Sequence, residues 1–91
     1  MANPDHVKQL LERGESIAGD LTKANLSRAK LEDANLRGAN LSGANLMEAN
    51  LSRAKLQEAN LSGANLTETK MTDVVFYKTK MPDGSIRNSD S

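Results

Sequence analysis

The side chains in this sequence that could do chemistry are few and scattered. His6 is the only histidine, and no cysteine exists to join it. A His/Cys zinc site and a cysteine nucleophile are therefore both out of reach. A lone imidazole can still serve as a base or proton shuttle, but His6 lies between Asp5 and Val7 near the start of an amphipathic segment, where a surface position is expected. Glu32 and Asp33 are the only adjacent acidic pair, with Arg28 and Lys30 close by, and they read as an ordinary charged corner. Asp83, Gly84 and Ser85 lack the series of acidic ligands that a calcium loop needs. No glycine-rich phosphate cradle precedes a helix. No catalytic residue, cofactor or metal is expected, and the chain is not expected to be an enzyme.

Something other than a site must account for the sequence. The 91 residues are 37% hydrophobic and 26% charged, with 12 basic and 12 acidic side chains. A net charge of zero gives no field to draw the chain onto nucleic acid or an anionic membrane. The apolar run at 74–77 is far short of the roughly 20 residues of a membrane span. The first residues show no basic flank leading into an apolar stretch. Only one Phe and one Tyr are present, so the core must be built from small aliphatic groups.

Their spacing shows how. Leucine recurs every fifth residue at Leu21, Leu26, Leu31, Leu36, Leu41, Leu46, Leu51, Leu56, Leu61 and Leu66, and the comb continues through Met71, Phe76 and Met81. Two positions before each tooth stands a small residue: Ala from Ala24 to Ala64 at every fifth position, then Thr69, Val74 and Thr79. The residue between them is mostly Asn or Lys, and the two after the tooth are small or charged.

Neither a helix nor a continuous strand can bury this pattern. Five residues advance a helix by about 500°, which sprays successive leucines around the cylinder. In a strand an odd period sends alternate leucines to opposite faces. Within one unit, however, the Ala and the Leu are two apart and share one side of an extended segment. The Ser, Thr, Gly, Asp and Asn residues that follow are types suited to turning the chain. A short extended piece and a corner, repeated with every Leu inside, generates a climbing coil whose backbone groups pair with the coils above and below at about 4.8 Å.

Units such as Ala34-Asn35-Leu36-Arg37-Gly38 and Ala44-Asn45-Leu46-Met47-Glu48 resemble the A(D/N)LXX motif of the pentapeptide-repeat proteins. The resemblance covers residues 19–83. It implies an all-β solenoid, a right-handed quadrilateral β-helix of about three coils, with the thirteen comb residues and their small partners inside. The sequence itself leaves the number of sides open. The stretch beginning at Gly38 partly recurs twenty residues later, whereas the Arg-Ala-Lys-Leu of 28–31 recurs at 53–56, a shift of twenty-five.

A solenoid needs covered ends. Asn3 suits a helix N-cap, Pro4 the first helical position and Gly14 the stop, so residues 1–18 are expected to supply a capping helix at 4–13 and a lead-in. Val7, Leu10 and Leu11 would be its packed side. Beyond the repeats, residues 84–91 form a tail, and the turn at Pro82, Asp83 and Gly84 starts a lid over Phe76. Val75 and Tyr77 are the candidate partner contacts, since family members associate end to end, which implies a monomer or a weak homodimer through an end face.

Stacking units twenty apart, as the resemblance implies, aligns Asp33, Arg53 and Asp73 in one column, Lys30, Asn50 and Lys70 in another, Arg28, Glu48 and Glu68 in a third, and Asn25, Asn45 and Asn65 in a ladder. The columns read as solvated, self-compensating surface. Residues 19–83 carry eight acidic and nine basic side chains. The family's best-known activity, imitation of duplex DNA toward a topoisomerase, needs a long acidic helix, so neither DNA mimicry nor nucleic-acid binding is expected. A non-enzymatic scaffold with a protein partner is the expected role. The leucine-bearing N-terminal segment and the ending at 81–89 resemble small cyanobacterial members of the family, which implies a cytoplasmic setting.

Overall fold

The computed structural model describes residues 1–89. Parallel bridges join residues twenty apart without a break, from Glu15 with Asn35, through Asn40 with Asn60, to Asn60 with Lys80. Each turn of the coil is therefore four units of five, and residues 15–80 make a little over three turns. This decides the register that the sequence left open between twenty and twenty-five.

The sides are shorter than strands. Each unit offers one bridging residue, because two of its five residues are spent on a corner. The second and third coils show where the N–H groups of one unit go. Leu41 donates to the carbonyl of Asn60 at 2.7 Å, Gly43 to that of Ser62 at 2.8 Å, and Asn60 back to that of Ala39 at 2.9 Å. Ala44 closes the turn on the carbonyl of Leu41 at 3.0 Å. The remaining N–H of the unit, that of Ser42, is taken by the side chain of Asn40 at 3.1 Å. The same Asn-type acceptor serves the residue two places on at Asn25, Asn45, Asn50, Asn60 and Asn65. Asparagine recurs because its Oδ1 satisfies the one backbone donor that the coil leaves over. Where Lys80 takes the asparagine's place, the residue two on is Pro82, which has no N–H to satisfy.

The second of the two corner residues adopts the left-handed conformation, with φ between 48° and 68° at every unit from Ala18 to Lys78. Ten of these residues are not glycine. A Cβ in this region costs roughly 1–2 kcal/mol. Ala18, at φ 55°, carries no polar group that could compensate. Ala18→Gly is therefore expected to raise stability by about 0.5–1 kcal/mol, and Gly38→Ala, whose new Cβ would meet nothing closer than 3.7 Å, to lower it by a similar amount. Urea titration of the two variants measures both signs.

The core is the column of leucines. Leu21 through Leu61 are at most 2% exposed, and Ala24, Ala34, Ala39, Ala44, Ala49, Ala54, Ala59 and Ala64 are buried beside them. Three of the thirteen comb residues depart from this: Leu66, Met71 and Met81 are only partly buried. They belong to the last coil, and the C-terminal segment crosses a different part of it. There β1 (Thr79–Lys80) pairs antiparallel with β2 (Ile86–Arg87), Thr79 opposite Arg87 and Lys80 opposite Ile86. Ser89 donates its N–H to the carbonyl of Phe76 and its Oγ accepts from the N–H of Phe76, while Asn88 accepts from Lys78 N–H at 2.8 Å. The lid thus lies over residues 76–80, and Phe76 is 5% exposed beneath it. The last two residues of the expected tail, 90 and 91, lie outside the described residues.

At the other end α1 spans Pro4–Arg13, with Asn3 as N-cap accepting from Asp5 N–H and Gly14 as the left-handed C-cap donating to the carbonyl of Leu10. Leu10 is buried and Val7 partly so, but Leu11 is 56% exposed. The packed side of α1 is centred on His6 and Leu10, which are four residues apart, and Leu11 falls about 100° away from Leu10. His6 is part of the seal: its Nδ1 accepts the N–H of Asp20 at 2.8 Å, and Asn3 N–H donates to the carbonyl of Asp20 at 3.0 Å. These bonds replace those a preceding coil would make. His6→Ala leaves a part-buried backbone donor unsatisfied and is expected to cost about 1–3 kcal/mol, with faster hydrogen exchange at the Asp20 amide as its local mark.

The coil also starts one unit earlier than the comb shows. Glu15 bridges Asn35, Ser16 N–H donates to the carbonyl of Asn35 at 2.9 Å, and Ala18 N–H to that of Arg37 at 2.8 Å. Ser16 occupies the leucine position and is 2% exposed. Gly19 stands where the next two coils have Ala39 and Ala59, and a Cβ there would require the Ser16 hydroxyl to turn away.

Candidate interaction surface

The four sides of the coil present their outward residues as vertical columns. The side carrying Leu31, Leu51 and Met71 places Asp33 beneath Arg53, and the pair is bidentate, with Nε to Oδ1 at 3.0 Å and Nη2 to Oδ2 at 3.1 Å. The Arg53 guanidinium holds Asp33 below the usual carboxylate range, and Asp33 in turn raises Arg53. Arg28 and Glu48 meet more loosely on the neighbouring side at 3.5 Å. Both pairs are exposed, so they trim surface charge and add little to stability. Asp20 and Asp83 are also lowered, by hydrogen bonds from Thr22 and Ser85 respectively. Asp83 thus closes a turn with Ser85, at 2.6 Å from its hydroxyl. The asparagine column at Asn25, Asn45 and Asn65 spends its oxygens on Ser27, Met47 and Thr67 N–H groups, which makes it structural. Among the described residues no cluster of His, Asp and Glu suited to a metal ion occurs, and no helix is long and apolar enough to cross a membrane.

One side differs from the other three. Its core column is Ser16, Leu36, Leu56 and Phe76, and its outward column is Ile17, Arg37, Gln57 and Tyr77 at twenty-residue steps. Beside it run Glu15, Asn35, Lys55 and Val75 on one flank and Ala18, Gly38, Glu58 and Lys78 on the other. Ile17 is 51%, Val75 38% and Tyr77 49% exposed. The other large exposed hydrophobics among the described residues are Met1 and Leu11 in the N-terminal segment and Ile86 in the hairpin. The candidate contacts Val75 and Tyr77 therefore belong to a lateral face, not to the end of the coil. Ile17, which the periodicity did not mark because Ser16 hides the first tooth, shares that face. A shallow groove of about 360 Å³ runs between Ile17, Ala18, Arg37, Gly38, Gln57 and Glu58. The Gln57 Oε1 is buried without a hydrogen-bond partner.

The pentapeptide-repeat profile matches residues 20–53 and 49–88, with eight copies of the repeat. The chain belongs to the pentapeptide-repeat family. No curated protein matches it. Among solved structures, a pentapeptide repeat protein of the Arabidopsis thaliana thylakoid lumen aligns with a TM-score of 0.54 and 28% identity, over 84% of this chain and 50% of that one. HetL, a pentapeptide repeat protein involved in heterocyst differentiation regulation in the cyanobacterium Nostoc, is 41% identical over 80% of this chain and 36% of its own, with a TM-score of 0.46. Rfr23 from the cyanobacterium Cyanothece is 37% identical, over 75% of this chain and 51% of its own, with a TM-score of 0.34. The chain spans about a third to a half of these structures.

Proposed function

We propose that the protein is a non-enzymatic scaffold, a right-handed quadrilateral coil of the kind the family resemblance implies, whose outward residues recognise a protein partner. The observation that carries this reading is the independence of the corner from its side chain. Ala, Lys, Arg, Asp, Glu and Gly all occupy the same left-handed position with the same hydrogen bonds. Outward identity can thus vary without disturbing the coil, and recognition can be written on a constant frame. The alternation of Asp33 and Arg53, paired bidentately, favours a protein partner over imitation of the uniformly negative DNA backbone.

The test compares immobilised wild-type protein with a variant in which only residues one and two places after each comb residue are permuted. A partner retained by the wild type and lost by the permuted coil, at equal far-UV circular dichroism, is the expected result. Identical retention by both overturns the reading.

A further inference from the structure

The seal at the N-terminal end depends on one ring nitrogen. We infer that it is a pH-sensitive latch, in which neutral His6 holds the front of α1 on the first coil, and protonation in mild acid releases that end and uncovers the apolar side chains beneath it.

α1 is tied down at both ends, and the two ties differ in kind. At the back, the carbonyl of Gly14 accepts the N–H of Asn35 at 2.8 Å, and Glu15 then bridges Asn35. Neither group of that hydrogen bond titrates. At the front both bonds go to one residue of the coil: Asn3 N–H donates to the Asp20 carbonyl at 3.0 Å, and His6 Nδ1 accepts the Asp20 N–H at 2.8 Å. Nδ1 accepts only in the neutral ring whose proton is on Nε2, because both nitrogens of an imidazolium are donors. Protonation therefore points two N–H groups at each other and leaves a part-buried backbone donor without a partner. The bond contributes fully while the ring is neutral and is lost as the pH falls through the imidazole titration. Leu10, one turn beyond His6, is buried in the same cluster as Leu21 and Leu26, and Ala2 and Val7 pack against that cluster. Raising the front of the helix exposes this apolar surface while Gly14 stays in place.

The surrounding charges do not substitute for the lost bond. Asp5 adjoins His6 on α1 and is exposed, while the α-amino group of Met1 and the Asp20 carboxylate stand at the junction with the coil. The carboxylate accepts from Thr22, its N–H at 3.1 Å and its hydroxyl at 2.8 Å, and these bonds chiefly hold it below the usual carboxylate range, with smaller help from the amino group and His6. It stays ionised in mild acid and attracts the imidazolium, but a surface pair of this kind is weak beside an orphaned backbone donor. Histidine is the side chain that ordinarily changes charge between about pH 5 and 8. The sequence has one histidine and no cysteine, so the response has a single side chain as its source.

Amide hydrogen exchange of the full chain, each rate divided by the intrinsic rate at its pH, reads the latch. Between about pH 7.5 and about pH 5.5 the protection of the Asp20 amide is expected to fall at least about tenfold, while Asn35 and Leu41 keep theirs. The midpoint should match that of the His6 ring, followed by its nitrogen shifts, and anilinonaphthalene sulfonate fluorescence should rise with the same midpoint. His6→Asn sets a non-titrating Oδ1 where Nδ1 was and should hold the Asp20 protection level across the range. Asp20→Asn keeps the backbone N–H, removes the carboxylate and should leave the pH response in place. Unchanged Asp20 protection overturns the inference, as does a midpoint that differs from the ring's or the absence of a dye signal. A fall that persists in His6→Asn or vanishes in Asp20→Asn also overturns it, since another group would then be titrating. Equal loss at Leu41 reports general acid unfolding and has the same consequence.

Discussion

Leu46→Lys is expected to abolish the folded state, while Ser62→Lys, also one substitution in the middle of the coil, should change stability by no more than about 0.5 kcal/mol. Leu46 is fully buried in the second of a little over three turns, with Leu26 and Leu66 at the same position in the coils on either side. Its carbonyl accepts the N–H of Ala49 at 3.0 Å and the hydroxyl of Thr69 at 2.6 Å, so the backbone cannot swing the residue outward without breaking the ladder. An ammonium forced into this position would bear a desolvation penalty of several kcal/mol, which no partner in an interior of Leu and Ala offsets. The milder Leu46→Ala should cost about 3–5 kcal/mol through lost contacts and the cavity left behind. Ser62 follows a comb residue, and its hydroxyl bonds only the side chain of Asn60. Far-UV circular dichroism and urea titration separate the three variants, and equal losses for Leu46→Lys and Ser62→Lys would overturn the assignment of inside and outside.

Most of this architecture was legible because the period of five admits one solution. Once Leu and Ala must share an interior, every comb position follows, and the placement of Leu21 through Leu61 needs only counting. Legibility failed where a residue answers to a neighbour distant in sequence. Ser16 takes a leucine position beside Gly19 in the first coil, and no periodic rule flags a serine. His6 looks like a surface residue until Asp20 N–H is seen to lack the coil that would have bonded it. Leu66, Met71 and Met81 match the comb as well as Leu46 does, and their partial exposure follows from where the tail crosses the last coil. The lateral face was half legible: Val75 and Tyr77 are conspicuous as bulky residues, but their side of the coil depends on four units per turn, which conflicting shifts of twenty and twenty-five could not decide. The asparagine ladder was legible as a column. Its cause, one leftover N–H per unit, required the hydrogen bonds.

The lid makes the last coil a separate test of how far the structure is cooperative. Phe76 stands in the comb above Leu36 and Leu56, its ring covered by the Arg87 guanidinium at 4.2 Å, and its backbone N–H and carbonyl both engage Ser89. Phe76→Ala removes the ring that fills the end of the core and the platform on which Arg87 rests, and is expected to cost about 3–5 kcal/mol. Phe76→Leu restores a comb-sized side chain and should cost under about 1.5 kcal/mol, including the lost cation–π contact, worth about 0.5–1 kcal/mol at an exposed site. In a solenoid each coil touches only its neighbours, so the damage should spread from the end. In Phe76→Ala the amides of Lys78 and Lys80 should lose hydrogen-exchange protection first, and trypsin should cut at Lys80 and Arg87, while the amides of Leu41 and Leu46 exchange with little change. Leu46→Ala should lower protection throughout. If Phe76→Ala instead lowers the protection of Leu41 and Leu46 as much as that of Lys80, the coil unfolds as one block, and the lid and its aromatic plug stabilise the whole protein, not only its last turn.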